Sequence, residues 1–101
     1  MSPNLAKCLV VAKVLVADGI MTDEERAFLD GMIRRRGLSD EERRQVIELE
    51  GIDGADAFVR ALPIEERREI VEELVDAASA DGKLSPHELA AIKRVTAALG
   101  L

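Results

Sequence analysis

Residues 17–25 read ADGIMTDEE, and residues 80–88 read ADGKLSPHE. Both segments fit the pattern Ala-Asp-Gly-x-apolar-Ser/Thr-x-x-Glu, and apolar residues at helical spacing follow each of them. The register continues past the motif, because the pair at 37–38 and the pair at 100–101 are both Gly-Leu. A repeat of this kind predicts a duplicated helical hairpin, with residues 3–38 corresponding to residues 66–101.

Helix signals account for almost the whole chain. Ser/Thr-x-x-Glu boxes beginning at Thr22, Ser39 and Ser85 predict three helix starts, since each hydroxyl and carboxylate can satisfy an orphan backbone amide. Glycines after the apolar runs predict helix ends. We expect an all-α domain of five to seven helices, most simply six, with a pseudo-twofold relation between the hairpins. The break at 51–54 places the start of the fourth helix near Ala55.

The predicted core is aliphatic, because the chain contains two Phe and neither Trp nor Tyr. The first helix, from about Pro3 to Ala17, is apolar almost all round, which predicts that it is central or that it contacts a partner. The other helices each show one apolar stripe, and the residues expected to be buried there are Phe28, Leu29, Met32, Ile33, Val46, Ile47, Leu49, Phe58, Val59, Leu62, Ile70, Val71, Leu74, Val75, Ala78, Leu89, Ile92, Val95 and Leu99.

Length and charge limit the classes of function. A chain of 101 residues is expected to form a single domain, residues 1–101. The net charge of −6 disfavours a nucleic acid or an anionic membrane as partner. No segment approaches the roughly 20 apolar residues that span a bilayer, so we expect no membrane association by this chain alone. The single Cys8, set among apolar residues, predicts a buried thiol in a reducing compartment.

The two acidic loops resemble the second half of a calcium-binding EF-hand loop. With Gly19 at position 6 of that loop, Asp18 falls at position 5 and Glu25 at position 12; Asp81 and Glu88 occupy the same positions in the second copy. The oxygen ligands of the first half are missing from both copies. A weak site, completed by water or by the facing loop, is one interpretation, and its residues are Asp18, Glu25, Asp81 and Glu88.

A purely structural interpretation explains the same residues. Capping accounts for Ser/Thr-x-x-Glu, helix termination accounts for the glycines, and Asp before Gly can order a turn through loop amides. Both interpretations remain open at this point. We also expect no catalysis, because the only histidine, His87, is predicted to lie on the surface and no phosphate-binding loop or Cys/His cluster is present.

Two long segments resemble the tellurite-resistance TerB-like family: ADGIMTDEERAFLDGMIRRRGL at 17–38 and LPIEERREIVEELVDAASADGKLSPHELAAIKRVTAALGL at 62–101. The resemblance implies an all-helical, cytoplasmic bacterial module linked to tellurite resistance and stress responses. Some relatives are fused to other domains, including a membrane-anchored J-domain co-chaperone. The resemblance also implies a divalent metal at the motif acids, which are Asp18, Glu25, Asp81 and Glu88 in this chain.

The sequence therefore favours a non-catalytic TerB-like module that binds a hard divalent cation, calcium or magnesium, at its two Asp-Gly loops. The alternative is a structural or co-chaperone-type protein-interaction domain that binds no metal. No other cofactor is expected. A protein partner of unknown identity is expected in either case, and a homodimer is one possibility.

Overall fold

The structure is a computed structural model, and it describes residues 1–17, 19, 21–80, 82 and 84–101. This part of the chain contains six helices and no strand, which confirms the all-α fold class. The helices, in chain order, are α1 (Pro3–Leu15), α2 (Asp23–Arg35), α3 (Asp40–Ile47), α4 (Ile52–Arg60), α5 (Ile64–Ala78) and α6 (Pro86–Ala98). None of the described helices is both long enough and apolar enough to cross a lipid bilayer.

The predicted capping boxes all form. In α2, α3 and α6 the side chains of Thr22, Ser39 and Ser85 accept a hydrogen bond from the amide three residues later, and the Glu at that position accepts one in return. Ser2 caps α1 in the simpler way, by accepting a hydrogen bond from the Leu5 amide. Local sequence therefore fixes where these four helices begin.

Helix α1 is the centre of the domain. Its residues from Leu5 to Ala12 are buried without interruption, and all five other helices contact it. Two ammonium groups on α1 are held by carboxylates of neighbouring helices. Lys7 Nζ lies 3.1 Å from Glu66 Oε1 on α5, and Lys13 Nζ lies 2.8 Å from Asp56 Oδ2 on α4. The all-round apolar pattern of α1 is thus explained by a central position within this chain.

Two element boundaries differ from the predicted ones. Helix α1 ends at Leu15 rather than Ala17, and α4 begins at Ile52 rather than near Ala55. The segment read as a break contains only one residue outside the helix, Gly51, whose φ of 84° is in the left-handed region that favours glycine. The helix then continues through Gly54 because a glycine within the first turn weakens a helix without ending it.

Three residues predicted to be buried are instead exposed. Ile47 is at the end of α3, Val75 is 42% exposed on α5, and Leu89 is 41% exposed on α6. The apolar stripes are present, but α3 and α4 pack mainly on α1, whereas α5 is contacted chiefly by α1, α2 and α6. Periodicity shows which side of a helix is apolar; it does not show whether another helix covers that side.

Candidate metal site

Two glutamates of the repeated motif stand at equivalent positions, the third residue of α2 and of α6. Glu25 Oε1 accepts a hydrogen bond from the Thr22 amide at 2.9 Å, and Glu88 Oε1 accepts one from the Ser85 amide at 3.3 Å. Each glutamate also donates its own backbone N–H to the hydroxyl of the capping residue. One carboxylate oxygen of each residue is therefore occupied by helix capping, as the structural interpretation of the sequence expected.

The second oxygen of each glutamate is what capping does not explain. Glu25 is 1% exposed and Glu88 is 4% exposed. The two carboxyl groups are near enough to interact, since Glu88 is one of the causes that raise the pKa of Glu25. Glu25 Oε2 and Glu88 Oε2 are both buried and have no hydrogen-bond donor among the residues that the structure describes. Two carboxylates can bond directly only through a proton, and otherwise need a donor or a cation between them.

The environment of the pair disfavours two negative charges. The pKa of Glu25 is raised to about 7, mainly by burial and next by the neighbouring Glu88 carboxyl. The hydrogen bonds from Thr22 act in the opposite direction without cancelling these two effects. The Glu25 carboxyl is therefore protonated more readily in the folded protein than in water.

A third capping box provides an internal comparison. Glu42 in α3 accepts from the Ser39 amide at 3.1 Å, and its other oxygen accepts a hydrogen bond from the Ser2 hydroxyl at 2.9 Å. The pKa of Glu42 is lowered, first by the Ser39 amide and then by Ser2. In this third capping box both carboxylate oxygens of the glutamate therefore accept a hydrogen bond. The unpartnered oxygens of Glu25 and Glu88 follow from where the two boxes meet and not from the motif itself.

The other two predicted ligands, Asp18 and Asp81, lie outside the described residues. Within the described part of the chain, no group of three Asp, Glu, His or Cys side chains is placed to hold a metal ion. Two buried carboxylate oxygens without donors nevertheless have the chemistry that calcium and magnesium prefer. They supply part of a ligand set, since calcium normally takes about 6–8 oxygens.

Two further predicted features concern reactivity. Cys8 is fully buried in α1, and burial raises the pKa of its thiol to about 12. A thiol in this state is a poor nucleophile and a poor ligand, because the thiolate is the reactive form. His87 lies exposed in the first turn of α6, as predicted.

A family model described as "Tellurite resistance protein TerB" matches residues 4–101, which is nearly the whole chain. The chain belongs to the TerB family. This confirms the resemblance drawn from the repeated Ala-Asp-Gly motif and associates the TerB domain with tellurite resistance. The curated proteins and the solved structures gave no match.

Proposed function

We propose that this TerB domain is a non-catalytic interaction module of a stress-response system, and that it binds a hard divalent cation where its two acidic loops meet. Calcium and magnesium are the candidates, because the available ligands are all oxygens. The observation that carries the proposal is the pair of buried oxygens, Glu25 Oε2 and Glu88 Oε2, which have no hydrogen-bond donor in the described part of the chain although the two carboxyl groups interact.

Burying acceptors in this way is unfavourable unless something satisfies them. An unsatisfied buried polar group costs about 1–3 kcal/mol, and more when it is charged. Glu42 shows that a single serine hydroxyl suffices to satisfy the second oxygen of such a box. No described hydroxyl or amide has this role at the Glu25–Glu88 pair. A cation with carboxylate ligands from both loops would neutralise the pair, and the motif aspartates Asp18 and Asp81 are the expected additional ligands.

Binding at this place has a structural consequence. Glu25 is fixed to the start of α2 by its capping box, and Glu88 is fixed to the start of α6 in the same way. A ligand shared by the two carboxylates would set the distance between these helix starts and so the angle between the two hairpins. We infer that cation binding presents a defined surface to a protein partner. The affinity is expected to be weak, about 10⁻⁴ M or worse, because the first half of an EF-hand ligand set is absent.

The test is a calorimetric titration of calcium and of magnesium into the chelator-treated protein, with thermal unfolding measured in parallel. Wild type should release or absorb heat and should melt at a higher temperature with metal, since a ligand of the native state stabilises it by RT ln(1 + [L]/Kd). Glu25→Gln and Glu88→Gln should each abolish binding while keeping the cap, because Gln also serves in a capping box.

Glu42→Gln is the matched control. It changes the same residue type in the same kind of box, but at a position where Ser2 already occupies the second oxygen. This variant should bind metal as wild type does. A metal concentration of about 10 mM is well above the Kd of the weakest known calcium modules. If neither calcium nor magnesium binds to wild type at that concentration, the metal proposal is wrong. The domain would then be the alternative of the sequence analysis, a protein-interaction module whose loops serve as helix caps.

A further inference from the structure

Exposed apolar side chains are concentrated on the second hairpin. Of the seven large apolar residues that are exposed in the described part of the chain, five lie between residues 64 and 101: Ile64, Val75, Leu84, Leu89 and Leu101. Two of these, Val75 and Leu89, are residues that the apolar pattern predicted to be buried. The surface of α5 and α6 therefore retains the composition of a packed face without the packing.

A groove runs along this face between α5 and the C-terminal end of α6. It has a volume of about 460 Å³, and Ile64, Val71 and Leu101 contribute apolar side chains to its lining. Among the described residues, the charged side chains that line it are Arg68 and Glu72. These five residues, with Val75, are called the α5 face below.

The sequence register shows what is different about this hairpin. Cys8 and Ala12 on α1 correspond to Val71 and Val75 on α5. Cys8 and Ala12 are fully buried. Helices α3 and α4 follow the first hairpin and pack on α1, but α5 has its main contacts with α1, α2 and α6 only. The first hairpin is thus covered by the chain itself. The α5 face, which carries larger apolar residues at the corresponding positions, is left open.

The two charges of the α5 face are unpaired within the described structure. Two other acids of α5 are paired, Glu66 with Lys7 and Glu73 with Arg36. The exposed acids Glu65, Glu69 and Asp76 form no ion pair with a described residue. Arg68 and Glu72 are exposed and form no ion pair with any described residue. They stand one turn apart, but with the base before the acid, which is the weaker order for a pair within one helix. One positive and one negative charge are therefore both available to an incoming surface.

We propose that the α5 face is a homodimer interface, in which the α5 helices of two copies pack antiparallel about a twofold axis at the level of residue 70. Opposite charges one turn apart on a helix are self-complementary under this symmetry, because the axis exchanges their levels. Arg68 of each copy then lies opposite the partner's Glu72. A partner of another sequence would have no reason to match this arrangement, whereas a second copy matches it by construction.

The same axis aligns the apolar residues. Ile64 is six residues before the axis and Val75 is five after it, which corresponds to about 9 Å and about 7.5 Å along the helix at about 1.5 Å per residue. Ile64 therefore lies beside the partner's Val75. Val71, about 1.5 Å from the axis level, packs against the partner's Val71. In this single register apolar side chains meet apolar ones, and Arg68 meets the partner's Glu72.

The size of the face predicts a weak dimer. A helix of 15 residues is about 22 Å long, and two adjacent helices are about 20 Å wide, so each copy can contribute about 400–500 Å². That is below the roughly 800 Å² per partner of a standard interface, so we expect a weak dimer with a micromolar Kd. The net charge of −6 on each copy adds long-range repulsion, which is screened beyond about 8 Å at physiological salt.

The test uses the charge pair. Sedimentation equilibrium of the full chain should show a monomer–dimer equilibrium. Arg68→Glu and Glu72→Arg should each weaken self-association about tenfold or more, because each places like charges opposite each other across the axis twice. A one-to-one mixture of the two variants should recover wild-type association, since every opposed pair is then of opposite sign. Only a twofold contact between residues 68 and 72 predicts loss in each variant and recovery in the mixture.

A second variant tests the apolar part of the interface. Val75→Asp should abolish the dimer and leave the fold intact, because the side chain is already exposed. Ile47→Asp is the matched control, since Ile47 is an equally exposed apolar residue outside the α5 face, and it should dimerise as wild type does. A wild-type chain that stays monomeric up to about 1 mM overturns the proposal, because that concentration exceeds any micromolar Kd. So does a dimer that survives Val75→Asp, or a mixture of the charge variants that fails to associate.

Discussion

Replacing Glu25 by Gln should stabilise this domain at alkaline pH in the absence of metal. Glu25 is buried against Glu88, and its pKa is raised to about 7, chiefly by burial. Above that pH the folded protein must hold a buried negative charge on Glu25 beside the Glu88 carboxyl, with no donor to Glu25 Oε2 among the described residues. Gln keeps an oxygen for the Thr22 amide and offers an N–H that can be donated to Glu88 Oε2. The substitution therefore removes a buried charge and supplies the missing donor at the same time.

The sign and size of the effect follow from linkage. A carboxyl whose pKa is higher in the folded state than its ordinary 4.5 binds more protons in the folded state, so the free energy of unfolding falls as pH rises between about 4.5 and 7. Each pKa unit corresponds to about 1.36 kcal/mol, so the full shift of the Glu25 pKa corresponds to a loss of about 3 kcal/mol in the free energy of unfolding. We expect wild type to lose about 1–3 kcal/mol between pH 5 and pH 8, and Glu25→Gln to regain most of it at pH 8.

Urea denaturation at a series of pH values, with a chelator present, measures this directly. Glu42→Gln is again the matched control. The pKa of Glu42 is lowered by its hydrogen bonds, so its contribution to stability is lost only as pH falls below its ordinary value, outside this window. The control should follow the wild-type profile from pH 5 to pH 8. A wild-type stability that is flat over this range, or a Glu25→Gln protein that is no more stable at pH 8, would refute the reasoning about the pair.

Three further predictions concern stability and the core. Ser85→Ala and Thr22→Ala should each lower the free energy of unfolding by about 1 kcal/mol in urea denaturation, since each removes one hydrogen bond of a capping box; an unchanged midpoint in both variants would show that the boxes contribute nothing. Leu9→Ala should lower the free energy of unfolding by about 2–5 kcal/mol in the same assay, because Leu9 is fully buried in the central helix. A loss below about 1 kcal/mol would contradict that position. Cys8 should react with a thiol reagent only at the rate of unfolding, as burial and a pKa of about 12 imply, and rapid labelling of the native protein would contradict its burial.

The parts of the fold that local chemistry determines were predictable from the sequence. Three capping boxes start helices where the sequence placed them, and the burial of α1 follows from apolar residues all round its axis. Boundaries that depend on tertiary context were less predictable. The sequence pattern predicts the start of α4 three residues late, because the glycines at 51 and 54 suggest a break, whereas Gly54 lies within the first turn of the helix.

The candidate site was predictable only in part. The sequence placed Glu25 and Glu88 at equivalent motif positions and left open a contribution from the facing loop. It could not show that the two carboxylates meet, because 63 residues separate them and no local pattern encodes their approach. A pseudo-twofold arrangement of the two copies is the one signal that points to it, since equivalent residues near such an axis come together. The exposure of Val75 and Leu89 was missed for a similar reason, because periodicity carries no information about which helix covers a stripe.

The two proposals meet on α6. Glu88 and Leu89 are consecutive residues, the first buried against Glu25 and the second exposed on the hairpin that carries the α5 face. A cation that fixes the start of α6 through Glu88 therefore acts on the helix that lines the groove near its other end, through Thr96. If dimerisation is tighter with calcium, linkage requires calcium to bind the dimer more tightly than the monomer by a matching factor. Sedimentation with and without calcium, together with calcium titration at low and high protein concentration, measures both factors. Unequal factors would mean that the two measurements do not report one coupled equilibrium.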